Sequence, residues 1–107
     1  MPLKIEIIGS LAAGDKIALK RHSILRMRQR QISADEVKEA LLSCRLIEDY
    51  PTDRPLPSGL VLGYTANDRV IHVVVAIDED ELMLWVITVY EPTNNEWEKG
   101  FDRRRTV

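Results

Sequence analysis

Three strand-forming runs joined by two very short links constrain this chain more than any other feature. Residues 60–65, 69–78 and 81–91 are rich in Val, Ile, Trp and Tyr, the residues that suit a pleated, half-buried surface. The links Ala66-Asn67-Asp68 and Asp78-Glu79-Asp80 are polar and too short for a crossover. The strands are therefore predicted to be hairpin-connected and antiparallel. Residues 45–50 add a fourth strand, and a loop over 51–59 holds three prolines before the sheet resumes. Pro92 ends the last strand.

The first half of the chain has a helical period. Leu3, Ile7, Ile8 and Leu11 recur at helical spacing, with Gly14-Asp15 as a stop, although Leu3, Ile5 and Ile7 also alternate as a strand would. Residues 16–19 read as a short extended piece or connector. A second helix is predicted over 21–31. Its His22, Arg26, Gln29 and Arg30 project to one side, and Ile24, Leu25, Met27 and the stem of Arg28 project to the other, which is expected to pack. Ser33-Ala34-Asp35-Glu36 is a capping box, and Val37, Ala40 and Leu41 give the helix behind it an apolar stripe ending near Ser43. Thr93-Asn94-Asn95-Glu96 offers a second box, so a short C-terminal helix is expected to dock Trp97 and Phe101 and leave Arg103, Arg104 and Arg105 as a basic tail. The expected fold is α+β in one domain spanning 1–107: N-terminal helices packed on a twisted antiparallel sheet of about four strands.

Charge is unevenly spread. From residue 16 to residue 34 there are six Lys or Arg and one His with no Asp or Glu, in a chain of net charge −2. Such a segment suits phosphate. The lone Cys44 excludes an internal disulfide, and no Cys/His cluster has the spacing of a zinc site, so neither metal nor cofactor is expected. The first residues lack the pattern of a signal peptide, and the longest apolar stretch, 73–77, is far short of a membrane span. A soluble, cytoplasmic protein is the expectation.

His22 and His72 are the only histidines. If the helices cover the face carrying Ile71, Val73, Val75 and Ile77, His72 points to the open face. Two imidazoles can act as general base and general acid, because their ordinary pKa lies near neutrality. In RNA cleavage one takes the 2′-OH proton and the other protonates the departing 5′-oxygen, while guanidinium groups hold the phosphate. Arg26 and Arg30 follow His22 at i+4 and i+8. Arg21 and Arg28 add cationic contacts on the same helix, and Tyr64 and Tyr90 can stack a base or donate a proton, Tyr90 being counted with the catalytic residues. The plainer readings are a structural strand histidine, a merely solvated cationic helix, and arginines paired with Glu36, Glu39 or Glu48. Trp85 reads as core.

His22 with Arg26, Met27, Arg30 and Ile32, then Glu36-Val37, Ala40, Ile47 and Tyr50, resembles the opening of the domain-of-unknown-function family 4258. The resemblance continues through Pro57-Ser58, Leu60-Val61-Leu62-Gly63 and His72-Val73-Val74, and closes with residues 87–92 and Trp97. It departs at Gln31, where the family often has glycine to end the helix. The family is similar to RelE/MqsR-type ribonuclease toxins within the barnase-like and colicin-like folds. That similarity implies helices on an antiparallel sheet, an RNA cleft, and a partner antitoxin. The polar positions it carries over are His22, Arg26, Arg30, His72 and Tyr90. The expected function is thus a metal-independent endoribonuclease toxin, with Arg103, Arg104 and Arg105 adding backbone attraction. The rival expectations are a non-catalytic protein-binding module and a ParE-like toxin that poisons a topoisomerase.

Overall fold

A computed structural model describes residues 4–105, so Leu3 lies outside the described residues. The elements run α1 (Ile5–Ala13), β1 (Ile17–Leu19), α2 (Arg21–Gln29), α3 (Ala34–Leu42), β2 (Arg45–Tyr50), β3 (Ser58–Tyr64), β4 (Val70–Asp78) and β5 (Met83–Tyr90). The expected hairpins form: β2, β3, β4 and β5 are antiparallel neighbours in chain order. The expected count of about four strands is corrected to five. Residues Ile17–Leu19 pair in parallel with β5, through Ile17 opposite Leu84, Ala18 opposite Trp85 and Leu19 opposite Val86. Three residues are too few for a period, and only the sheet edge gives them a partner.

The helices start where the chain supplies donors and acceptors. Ser33 accepts from the Glu36 amide at 3.1 Å, and the Glu36 carboxylate accepts from the Ser33 amide at 2.9 Å. Asp35 and Glu36 also meet the positive end of α3. At the end of α2, Gln31 takes a left-handed conformation with φ 57°, the turn expected to need glycine. Ile8 and Ala12 of α1 and Val37, Ala40 and Leu41 of α3 are buried against Val61, Ile71, Val73, Val75, Leu84 and Val86 of the sheet. The closest approach is at Gly63, where an added Cβ would lie 2.0 Å from the Ala40 carbonyl oxygen.

Three packing expectations are corrected. Met27 is buried as expected, but Ile24 and Leu25 are exposed, and Ser23 is the other residue that α2 buries. Its apolar content is too small for a hydrophobic face, so hydrogen bonds decide which side docks. No helix forms after Pro92 among the described residues. Thr93 accepts from the amides of Glu96 and Trp97, one turn forms, and the chain then reverses through Gly100 and Phe101, both at positive φ. A single turn does not repay helix nucleation. The two arms pair instead, with the Glu98 amide donating to Arg103 and the Arg105 amide to Glu96. The basic tail is likewise corrected: Arg104 makes a two-point ion pair with Glu48 at 2.6 and 2.9 Å and lies over the Trp97 ring, and Arg105 donates to the Asn94 carbonyl. Of the three, Arg103 alone makes no side-chain hydrogen bond or ion pair among the described residues.

The sheet thus has two covered faces. Helices lie on one. The C-terminal segment lies over part of the other, held by Trp97 and by the Arg104–Glu48 and Arg45–Asp102 ion pairs. No helix among the described residues is long and apolar enough to cross a membrane.

Gly63→Ala should cost about 3 kcal/mol or more, because backbone on both sides must separate. A urea unfolding midpoint unchanged from the native protein would refute this account of the α3–sheet contact.

Candidate nucleic-acid interface

β1 covers only Leu84, Trp85 and Val86 of β5, and the register shifts between Val86 and Thr88, so the outer edge of β5 beyond Val86 has no strand partner. Buried carbonyls left there would be costly. α2 supplies the missing donors. The Ser23 hydroxyl, 1% exposed, lies 2.8 Å from the Ile87 carbonyl and 3.1 Å from that of Val86, so its one proton is shared between them. Two turns on, the Arg30 guanidinium donates to the Val89 carbonyl at 2.5 Å. The helix is thereby pinned along the strand at both ends.

This pinning orients the cations. His22, Ser23, Arg26 and Arg30 line one groove of about 310 Å³ with Ile87 and Thr88 of β5. With a rise of 1.5 Å per residue, His22, Arg26 and Arg30 succeed one another at about 6 Å along the helix. Arg30 also borders a second groove, of about 550 Å³, with Tyr90, Glu91 and Glu96. The structure therefore brings His22, Arg26, Arg30 and Tyr90 to one continuous edge. Arg21 and Arg28 are exposed but line neither groove, and Tyr64, 44% exposed at the end of β3, is not part of them.

The anticipated ion pairs of α2 are absent among the described residues. Glu36 pairs with Arg69 and Glu48 with Arg104, and Glu39 accepts from the Ala66 amide. No ion pair there involves His22, Arg26 or Arg30. Arg69 is the residue the sequence did not single out. It reaches the carbonyls of Arg30 and Gln31 at 3.2 and 2.7 Å and pairs with Glu36 and Glu91, tying the end of α2 to α3 and β5. These bonds raise the Arg69 pKa and lower those of both carboxylates; at Glu36 the Ser33 amide is the larger cause.

His72 does not belong to this edge, which corrects the expected pair of catalytic imidazoles. It is 0% exposed on the sheet face under the C-terminal segment, with Trp97 edge-on at 4.4 Å between ring centroids. Nε2 lies 2.8 Å from the Phe101 carbonyl, which can only accept, so Nε2 carries the proton. Nδ1 then accepts the Tyr90 hydroxyl at 3.1 Å. Both nitrogens are satisfied within the protein. Desolvation holds the His72 pKa below the ordinary imidazole value and pushes the Tyr90 phenol up to about 12. Tyr90 borders the groove and commits its hydroxyl proton inward, to His72. What seals His72 is a segment more than twenty residues away in sequence, so nothing in the strand itself announced it.

The Cys44 thiol is buried and pushed up to about 11, which leaves it unreactive. No three His, Cys, Asp or Glu side chains among the described residues are placed to hold a metal ion.

The structure predicts a pH signature. The neutral form of His72 is favoured on folding, so below the usual value of 6.5 the unfolded chain takes up a proton first. The contribution of His72 is intact above that value and is lost as the pH falls below it, by up to about 1.4 kcal/mol per pH unit. Glu36, Glu48 and Glu91, held below 4.5, lose theirs only at lower pH. Denaturant titrations should show stability falling as the pH drops below 6.5 in the native protein and a flatter profile in His72→Gln. Ser23→Ala should cost about 1–3 kcal/mol by orphaning a carbonyl; an unfolding midpoint within error of the native one would contradict the edge-capping role.

Residues 19–91 match a family model described as a domain of unknown function, DUF4258. The match covers more than half of the chain and ends before Trp97, short of the span that the resemblance suggested. No curated protein and no solved structure matches the chain significantly.

Proposed function

We propose that this chain, which belongs to the DUF4258 family, acts on single-stranded RNA as the toxin of a toxin–antitoxin pair, holding the phosphate backbone along α2. One observation carries the reading. His22, Arg26 and Arg30 form a row in a groove whose lining holds no acid, Glu91 and Glu96 bordering only the next groove beyond Arg30, although the chain carries net charge −2. The ion-paired cations among the described residues are Lys38, Arg45, Arg69 and Arg104, none of them on α2. Unpaired cations in register along one helix match a ladder of phosphates better than a protein surface of mixed charge. The likeness to RelE/MqsR-type toxins, the cytoplasmic site of action and a protein antitoxin belong to the same proposal.

Cleavage, in this reading, has His22 as its only imidazole. It takes the proton of the 2′-OH, the freed oxygen attacks phosphorus, and the 5′-oxygen departs with a proton from water, leaving a cyclic phosphate. Arg26 and Arg30 stabilise the charge that gathers on the phosphate. The sealing of His72 favours a second, non-catalytic reading in which the groove holds RNA without cutting it.

Binding of a labelled single-stranded RNA tests this. The two arginine contacts predict about a 7-fold loss of affinity between 50 and 200 mM salt, and Arg26→Ala should flatten the log–log slope by about 0.7. Affinity indifferent to salt and to Arg26→Ala refutes the groove. Cleavage that disappears in His22→Gln with binding kept supports the nuclease, and binding with no cleavage in the native protein supports the second reading. Growth arrest with broken DNA and intact RNA would point to the ParE-like alternative.

A further inference from the structure

The α2 groove does not end at His22. Ile87 also lines another hollow, of about 430 Å³, which Arg26 does not border. Its floor is apolar: Trp85, Leu56, Ala76 and Ile87. Lys20, which precedes α2 and stands two residues from His22, is at its rim.

We propose that this hollow is a subsite for a purine base of the RNA strand whose phosphates lie along α2. The proposal rests on the reading of the groove given above and extends it to the base. Trp85 carries the argument. It was expected to be core, and the other tryptophan, Trp97, is 2% exposed. Trp85 stands opposite Ala76, on the sheet face away from the helical core, and is only half-buried. The C-terminal segment that covers His72 through Trp97 leaves Trp85 bordering an open hollow. An indole accessible from a cationic groove is a stacking platform. The larger ring system of a purine uses more of it than a pyrimidine does.

The polar rim selects further. Asp53 and Asp78 both border the hollow, and each has one carboxylate oxygen engaged internally, by the Ser58 hydroxyl and the Glu81 amide respectively. Each leaves its other oxygen to accept a hydrogen bond. Exocyclic amino groups of adenine and guanine are donors that suit such acceptors. Arg54 also borders the hollow, with one guanidinium nitrogen already donating to the Thr52 and Asp53 carbonyls. Uracil has no amino group to offer the two carboxylates, so they favour adenine or guanine over it. Lys20 offsets the negative rim on the side from which the backbone arrives.

Hexa-adenylate and hexa-uridylate, each end-labelled, serve as probes in anisotropy titrations, with intrinsic tryptophan fluorescence followed in parallel. Hexa-adenylate should bind at least about fivefold tighter and quench the indole emission, since Trp97 is sealed. Trp85→Ala should weaken hexa-adenylate binding by about 5- to 150-fold, the equivalent of 1–3 kcal/mol of stacking, while the salt slope stays. Trp85→Phe should retain most of the affinity. Equal binding of the two oligonucleotides by the native protein, with no quenching and an undiminished salt slope, overturns the purine subsite and leaves the groove standing. Failure of both to bind overturns the two together.

Discussion

The unpartnered edge of β5 is the constraint on which the rest of the molecule turns. A strand whose outer carbonyls are half-covered needs donors, and each one left bare costs about 1–3 kcal/mol. β1 supplies partners for three residues and then gives way to α2. The Ser23 hydroxyl and the Arg30 guanidinium finish the work from a helix that has little apolar surface of its own. Docking through polar atoms fixes the rotation of α2 about its axis. His22 and Arg26 are thereby turned into the same groove that Thr88 borders.

The basic residues divide between two kinds of work. Arg69 joins the C-terminus of α2 to Glu36 and Glu91, and Arg104 clamps the last segment to Glu48 across the Trp97 ring. Arg69 thereby engages the two acids nearest the C-terminal end of α2. The overall negative charge therefore coexists with a cationic edge, because the field near a surface depends on local arrangement and not on the sum. The two histidines divide in the same way. His72 is a buried hinge of hydrogen bonds between Tyr90 and the Phe101 carbonyl, whereas His22 stays exposed at the start of a helix.

Much of this was legible in the residues, and what was not has identifiable causes. The Ser33–Glu36 capping box, the stripe of Val37, Ala40 and Leu41, and the hairpins of β3, β4 and β5 all rest on contacts between near neighbours in the chain. The cationic row of α2 was visible for the same reason. The extended alternative for residues 16–19 holds, but its place as a fifth strand was not legible, because three residues carry no period and the partner is the distant β5. The docking face of α2 was misassigned because apolar pattern was asked to predict what hydrogen bonds to a distant strand decide. The C-terminal helix was expected from a cap signal that Gly100 and the pairing of Glu98 with Arg103 overrode.

The sequence by itself determined the elements whose energetics are local: helix starts, strand runs, reversals, and the spacing of His22, Arg26 and Arg30 on one helix flank. Only the tertiary structure decided which surfaces remain open. Whether His72 meets solvent, whether Trp85 is covered, and whether Arg104 is free all depend on where residues 93–105 fold back. Burial is a property of the partner that arrives, and that partner lies far along the chain. A residue's chemical capacity can thus be read from its identity, but its availability is conferred by contacts that no local pattern encodes.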